Sequence, residues 1–205
     1  MIFHLFKKNS GFTSLELLVA TSITGIFAVS YFTAFHVMES EMYRNKIYFD
    51  ANISAKKVMD RVSKDAQEAL NVAASWGGNT TGNTCLVLRL PAIDASGSPT
   101  NTSTQFDYVT YRINPSNSTQ LLRSLDVLAG VSQREGGADV SNVVVAERVS
   151  SILFSSGGTS LGSVSSGSIP LLEYINVQIT TQGTTVGTTQ QTVVDSDITL
   201  RNRIT

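Results

Sequence analysis

Cysteine occurs once in the 205 residues, at Cys85, so no intrachain disulfide can form. Histidine occurs only at His4 and His36, which leaves a Cys/His zinc site short of ligands and nearly excludes metal-hydrolase chemistry. Net charge is lacking too. Fifteen basic against sixteen acidic residues give −1, and no overall field draws the chain to nucleic acid or to an anionic surface. Lysine is absent after Lys64: all six lysines (Lys7, Lys8, Lys46, Lys56, Lys57, Lys64) precede residue 65. From Gly77 onward the cations are seven arginines, set against nine acids in a background rich in Ser, Thr, Gly and Asn. Two regions with different tasks are implied, the second being a soluble, externally exposed domain. A hydrophobic content of 41% excludes a disordered chain.

Charge is missing altogether from Leu17 to Phe35, a run of 19 residues. As a helix rising about 1.5 Å per residue it covers about 28 Å, close to the ~30 Å hydrocarbon thickness of a bilayer. A single membrane span is predicted. Its hydroxyls, at Thr21, Ser22, Thr24, Ser30 and Thr33, can bond back to the preceding helical turn or across a helix interface. Lys7 and Lys8 place the amino end in the cytoplasm, so the bulk of the chain is exported. A cleaved secretory signal would need small residues after the apolar run, whereas Ala28-Val29-Ser30 lies inside it.

Glu16 stands at the edge of this run, where burying an ionised carboxylate costs about 2.5–3.5 kcal/mol. Thr13-Ser14-Leu15-Glu16 fits the capping box, which would satisfy free amides at a helix start. The longer string Lys7-Lys8-Asn9-Ser10-Gly11-Phe12-Thr13-Ser14-Leu15-Glu16-Leu17-Leu18-Val19-Ala20 resembles the processing site of type IV prepilins and type II secretion pseudopilins. The resemblance implies that prepilin peptidase cleaves between Gly11 and Phe12 and that the new amino terminus, on Phe12, is N-methylated. Glu16 becomes the fifth residue of the mature chain. A carboxylate four residues along a helix lies on the face of that terminus, so Glu16 and a cationic Phe12 amine can pair. In the family the pairing is usually described as running between subunits of a growing filament. Low dielectric strengthens the attraction and makes an unpaired Glu16 costly.

The resemblance further implies partners: other pilin or pseudopilin subunits, the peptidase and an inner-membrane assembly platform. The precursor would reside in the bacterial inner membrane with its head in the periplasm, before joining a periplasmic or cell-surface filament. Gly25 falls where many pilins have a glycine, in a stretch that can lose helicity on assembly; close helix packing is its simpler explanation. Thr33 stands where pilins often have a proline, so a melted segment is not assumed.

Beyond the span, Glu39 to Asn71 is charged and free of Gly and Pro. Ala55, Met59, Val62, Ala66, Leu70 and Ala73 recur at spacings of three and four, predicting a helix with one apolar stripe. Lys56, Lys57, Asp60, Arg61, Lys64, Asp65 and Glu68 read as its solvated face. Trp76 to Asn83 is expected to stop it. The period then changes to two, with strands expected at Thr84–Leu90, Phe106–Ile113, Gln120–Leu125, Val143–Phe154, Leu172–Thr180 and Thr192–Leu200. Asp94 to Gln105 and Ser155 to Ser168 are expected as long loops.

The sequence therefore predicts an α+β fold, a long N-terminal helix packed on a C-terminal, mostly antiparallel sheet, which is also the pilin-like arrangement the resemblance implies. Its parts are a leader (1–11), a membrane and polymerisation helix continuing into the periplasm (12–75) and a β-rich head (76–205). The head segments Val109-Thr110-Tyr111-Arg112, Leu121-Leu122-Arg123 and Val149-Ser150-Ser151-Ile152-Leu153-Phe154 are similar in spacing to J-type minor pseudopilins and W-type minor pilins.

Chemistry-bearing patterns carry little. Gly158-Thr159-Ser160-Leu161-Gly162 satisfies G-x-S-x-G in a Ser/Gly-rich run, in a head without a histidine. Ser54-Ala55-Lys56-Lys57 fits S-x-x-K on the charged helix without companion motifs. Asp195-Ser196-Asp197 lacks the rest of a calcium loop and reads as outward carboxylates on an edge strand. Cys85 alternates with apolar neighbours and is expected to be a small buried side chain. Phe106, Tyr108, Tyr111, Phe154 and Tyr174 are expected to pack on strands. No catalytic, cofactor or metal site is expected. The chain reads as a minor structural subunit that primes assembly or sits near a filament tip. The alternative is a membrane-anchored exported binding domain that does not polymerise.

Overall fold

The computed structural model describes residues 13–100, 103–185 and 188–200. One helix, α1 (Ser14–Glu68), precedes eleven strands: β1 (Asn71–Val72), β2 (Ser75–Trp76), β3 (Asn79–Thr80), β4 (Cys85–Pro91), β5 (Phe106–Asn114), β6 (Asn117–Asp126), β7 (Val140–Ala146), β8 (Val149–Ser156), β9 (Thr159–Ser160), β10 (Tyr174–Thr185) and β11 (Thr188–Thr199). The chain divides into two compact units, Met1–Asn45 and Lys46–Thr205. The architecture is α+β, with one long N-terminal helix and antiparallel strands throughout the described pairings.

In the first unit no described residue is buried. Large apolar side chains such as Leu15 (72% exposed), Ile26 (69%) and Phe27 (71%) have no protein cover. In the second unit the helix from Lys46 onward carries the expected stripe: Ala55, Val58, Met59, Val62 and Ala66 are buried. They join Leu86, Leu88, Val109, Tyr111 and Leu121 from one sheet and Ile152, Phe154, Ile175, Val177 and Ile179 from another. Fully burying a side chain of this size stabilises by about 1.5–3 kcal/mol, so this one contiguous core holds the unit together.

The strands form two larger sheets rather than one. The first has the order β1-β4-β5-β6-β7 and the second β11-β10-β8-β9, with β2 and β3 as a separate ribbon. The expected strand over Val143–Phe154 is two strands, β7 and β8, one in each sheet. The chain bends at the exposed pair Glu147-Arg148, where Arg148 has φ 60. A long apolar run hid this crossing, because alternation alone does not report a single left-handed residue.

Two further boundaries differ from expectation. The helix ends at Glu68, not near Ala73, because the next amides find a sheet: Leu70 N–H donates to the Arg89 carbonyl and Ala73 N–H to that of Val87, both at 2.8 Å. Trp76 to Asn83, expected to stop the helix, instead holds β2, β3 and the turn between them. The segment expected as a loop over Ser155 to Ser168 begins inside β8 and returns as β9. Both short hairpins turn on a Gly-Gly pair with positive φ, Gly77-Gly78 and Gly157-Gly158, the backbone sense that matches strand twist. The alternation on β10 is as expected: Ile175, Val177 and Ile179 are fully buried, and Tyr174, Asn176, Gln178 and Thr180 are not.

β10 also reaches α1. Thr181 Oγ1 donates to the Ala51 carbonyl at 3.2 Å, and a Cβ at Gly183 would collide with Ile47 Cγ2. Glycine is needed there so that strand and helix can approach. Gly183→Ala is expected to lower the unfolding free energy by about 1–3 kcal/mol, with a smaller loss in an Ile47→Ala background. Urea melts of the four-member cycle measure the coupling, and strictly additive losses would refute the contact.

Candidate functional site

Two places combine polar groups with unusual surroundings: the start of α1 and the far end of the same helix. At the start, Thr13 and Glu16 form a reciprocal cap. Thr13 N–H and Oγ1 donate to Glu16 Oε2 at 2.9 and 3.0 Å, and Glu16 N–H donates to Thr13 Oγ1 at 3.2 Å. This is the capping box read in the sequence, and it satisfies Glu16 within its own chain. Gly11 and Phe12, the expected cleavage and methylation positions, lie outside the described residues, so Glu16 is the one member of the expected Glu16–Phe12 pair that can be located.

The helix that follows is long and apolar enough to cross a membrane: its best 18-residue window has a mean hydropathy of 1.7 and none of it is buried. A soluble core helix of that composition would be covered. Four of the five hydroxyls are consumed locally, Thr21 donating to the Leu17 carbonyl, Ser22 to Leu18, Thr24 to Ala20 and Thr33 to Val29, at 2.8–3.0 Å. In hydrocarbon such bonds would leave these four hydroxyls satisfied. Among the described residues nothing lies within 4 Å of a Cβ placed on Gly25, so they make no close packing there.

At the far end, the charges expected to form a solvated face are split. Lys56, Lys57, Asp60 and Lys64 are exposed, but Asp65 is 4% exposed and belongs to the buried stripe. Its position, three after Val62 and seven after Val58, is helical core spacing, and this was the signal available in the sequence. Tyr111 on β5 donates its hydroxyl to Asp65 Oδ2 at 2.5 Å, and Arg123 on β6 donates Nε to the same oxygen at 2.7 Å. Arg123 also reaches Glu135, Nη1 to Oε2 at 3.2 Å. Arg61 donates Nη2 to the Glu135 carboxylate, while its Nε lies 3.7 Å from Asp65 and has no hydrogen-bond partner.

A second buried arginine, Arg134, anchors the neighbouring loop. It donates Nε to Asp107 Oδ2 at 3.0 Å, Nη2 to the Pro91 carbonyl at 3.0 Å, and Nη1 to Glu68. Asp107 is completed by Ser132 Oγ at 2.7 Å and Leu128 N–H at 2.9 Å. Arg134 thereby supplies a cation beside the carboxyl end of α1, whose last turn has no basic residue of its own. Between these groups lies an open pocket of about 380 Å³.

Charges this deep face a large desolvation cost, which good geometry roughly offsets, so the network positions the helix end more than it adds net stability. Its electrostatics are consistent. Burial pushes the Tyr111 hydroxyl well above its ordinary value, reinforced by the negative charge and hydrogen bond of Asp65. Burial works against charge on Arg123, but hydrogen bonding to Asp65 and its charge outweigh that and hold Arg123 above its ordinary value.

The remaining residues singled out in the sequence do not converge on either place. Ser160 donates to Asn83 Oδ1, which also accepts from Gly162 N–H at 2.9 Å, so the G-x-S-x-G match lies in a hydrogen-bonded turn. Cys85 is half-buried rather than buried, and desolvation raises its thiol against a smaller opposing effect of Arg112. Asp195 and Asp197 are exposed on β11 as expected, with Asn176 donating to Asp197 at 3.1 Å. Tyr111 and Phe154 are core residues, but Trp76 and Tyr108 form a half-exposed parallel stack at 3.7 Å, with Trp76 Nε1 donating to Asp126 at 3.1 Å. No protein-family model, curated protein or solved structure gives a significant match to the chain.

Removing one partner of the buried network should cost far more than removing both. Arg123→Met is expected to destabilise by about 3–5 kcal/mol by stranding Asp65, and Asp65→Leu/Arg123→Met by less; denaturant melts decide between these orders. A pH effect follows from Tyr111. Above about pH 10 the unfolded chain loses the phenolic proton while the folded chain keeps it, so stability must fall as pH rises there. Tyr111→Phe should lose less stability between pH 9 and 11 than the unaltered chain (about one unit either side of the ordinary tyrosine value), as read from urea midpoints.

Proposed function

We propose that the chain is a minor pilin or pseudopilin, a structural subunit of a type IV pilus-like or type II secretion filament, processed between Gly11 and Phe12 and N-methylated on Phe12. The observation that carries this reading is an uncovered apolar helix headed by a carboxylate, Glu16, directly after a sequence resembling a prepilin processing site. Lipid covers such a helix before assembly, and the helices of neighbouring subunits cover it afterwards. The precursor sits in the inner membrane with its β-rich head in the periplasm, and its partners are prepilin peptidase, the assembly platform and other subunits. It has no catalytic activity of its own and primes assembly or lies near the tip.

The charge logic requires an exchange. In the single chain Glu16 is held by Thr13. In the filament the methylated amine of a neighbouring subunit offers a full positive charge at low dielectric, a stronger partner than a hydroxyl and an amide. A second reading has one observation in its favour: the cap satisfies Glu16 without any neighbour, as a membrane-anchored binding domain would need.

Mass spectrometry of the native amino terminus separates the two. A start at methylated Phe12 is expected, and an intact Met1 in cells with active prepilin peptidase would overturn the filament reading. Glu16→Ala is expected to remain membrane-inserted and to lose incorporation into sheared filaments by about ten-fold or more, the scale of one strong charge-assisted contact. Unchanged incorporation would sink the proposed pairing.

A further inference from the structure

The pocket at the far end of α1 has a feature that helix anchoring does not require. Four cations (Arg61, Lys64, Arg123 and Arg134) meet four carboxylates, three of them (Asp65, Glu68 and Glu135) lining the pocket and the fourth, Asp107, bonded to Arg134. The cluster is neutral only while Glu135 is in place. Asp65 and Asp107 are buried and multiply bonded, whereas the Glu135 side chain is 33% exposed. Lys64, at the rim, has no ion-pair partner among the described residues.

The backbone sets Glu135 apart as well. It has φ 47, a conformation uncommon for a residue with a side chain, and it is followed by Gly136 at φ 91 and Gly137 at φ 74. Nothing within 4 Å would obstruct a Cβ on Gly136, whereas one on Gly137 would lie 3.1 Å from the Ser132 carbonyl, and the two glycine N–H groups donate to the Gln133 and Arg134 carbonyls at 3.2 and 2.9 Å. The turn fixes the Glu135 backbone, and its side chain is held by the carboxylate, bridged between Arg61 and Arg123. The arrangement is that of a carboxylate site filled from within by a partly exposed side chain of this chain's own.

We propose that this pocket receives a carboxylate carried by another molecule, and that Glu135 fills it in the free chain as a displaceable internal stand-in. The incoming carboxylate accepts from Arg61 and Arg123 in place of Glu135 and takes Lys64 as a further cation, while the Glu135 side chain moves out. The donor is a small dicarboxylic acid or an acidic side chain of a partner protein, which present the same group. The inference does not depend on the filament reading, since it requires neither cleavage at Gly11 nor assembly.

The test is calorimetric titration of the full chain in detergent at low ionic strength, with sodium succinate and with a blocked tetraglutamate peptide as probes. Glu135→Gly suits the positive φ and removes the competing carboxylate. It should bind at least one probe about ten-fold or more tightly than the unaltered chain, because the competent state is no longer a minor one. Arg61→Gln/Lys64→Gln on that background should abolish the gain. A gain with succinate identifies a small-molecule site, a gain confined to the peptide identifies an acidic protein segment, and a gain with both supports the shared carboxylate chemistry. Should Glu135→Gly unfold, Glu135→Gln is titrated in its place. Failure of a folded variant to gain affinity for either probe, or a gain that survives loss of Arg61 and Lys64, overturns the proposal.

Discussion

A helix that must satisfy two environments governs this molecule. Up to Asn45 its apolar side chains have no protein around them; from Lys46 onward the same helix supplies the stripe on which two sheets close. Exposing the first half to water is costly, and it is long and apolar enough to cross a membrane. The second half has protein cover, since Ala55, Val58, Val62 and Ala66 are fully buried within the fold.

The two halves handle polar groups by opposite means. In the exposed half Thr21, Thr24 and Thr33 return their hydroxyls to their own helix, and the acid at its head, Glu16, is taken up by Thr13. In the packed half an acid is carried into the core itself. Asp65 is tolerated there because β5 and β6 each bring a donor to it, Tyr111 and Arg123, and because Glu135 and Arg61 complete the ring of charge. Neither β5 nor β6 has a compatible alternative register, since a slip of one residue would turn both donors away from the helix.

Much of this was legible in the sequence, for physical reasons. The charge-free run, the stripe at spacings of three and four, and the alternation of Ile175, Val177 and Ile179 all report burial directly, and the helix and most strands follow from them. What escaped depended on partners distant in sequence. The helix stops at Glu68 because Arg89 and Val87 offer carbonyls to the amides beyond it, and β7 turns into β8 because one arginine adopts positive φ. The cap at Glu16 was readable from four consecutive residues. The cluster around Asp65 was only half readable: its helical position marked it as inward, but its partners lie 46 and 58 residues away. Glu135 gave no signal in the sequence beyond the two glycines after it.

The outer strand of the four-stranded sheet, β11, has a further consequence. Twelve residues long, it has one row of backbone donors and acceptors with no strand beside it among the described residues. Such a border invites a second molecule to continue the sheet, the route by which β-proteins stick together. Here two exposed carboxylates, Asp195 and Asp197, stand near the middle of that border, and a copy pairing head to tail across it would bring like charge against like. The acids thereby discourage the border from being continued by a second copy of the same strand.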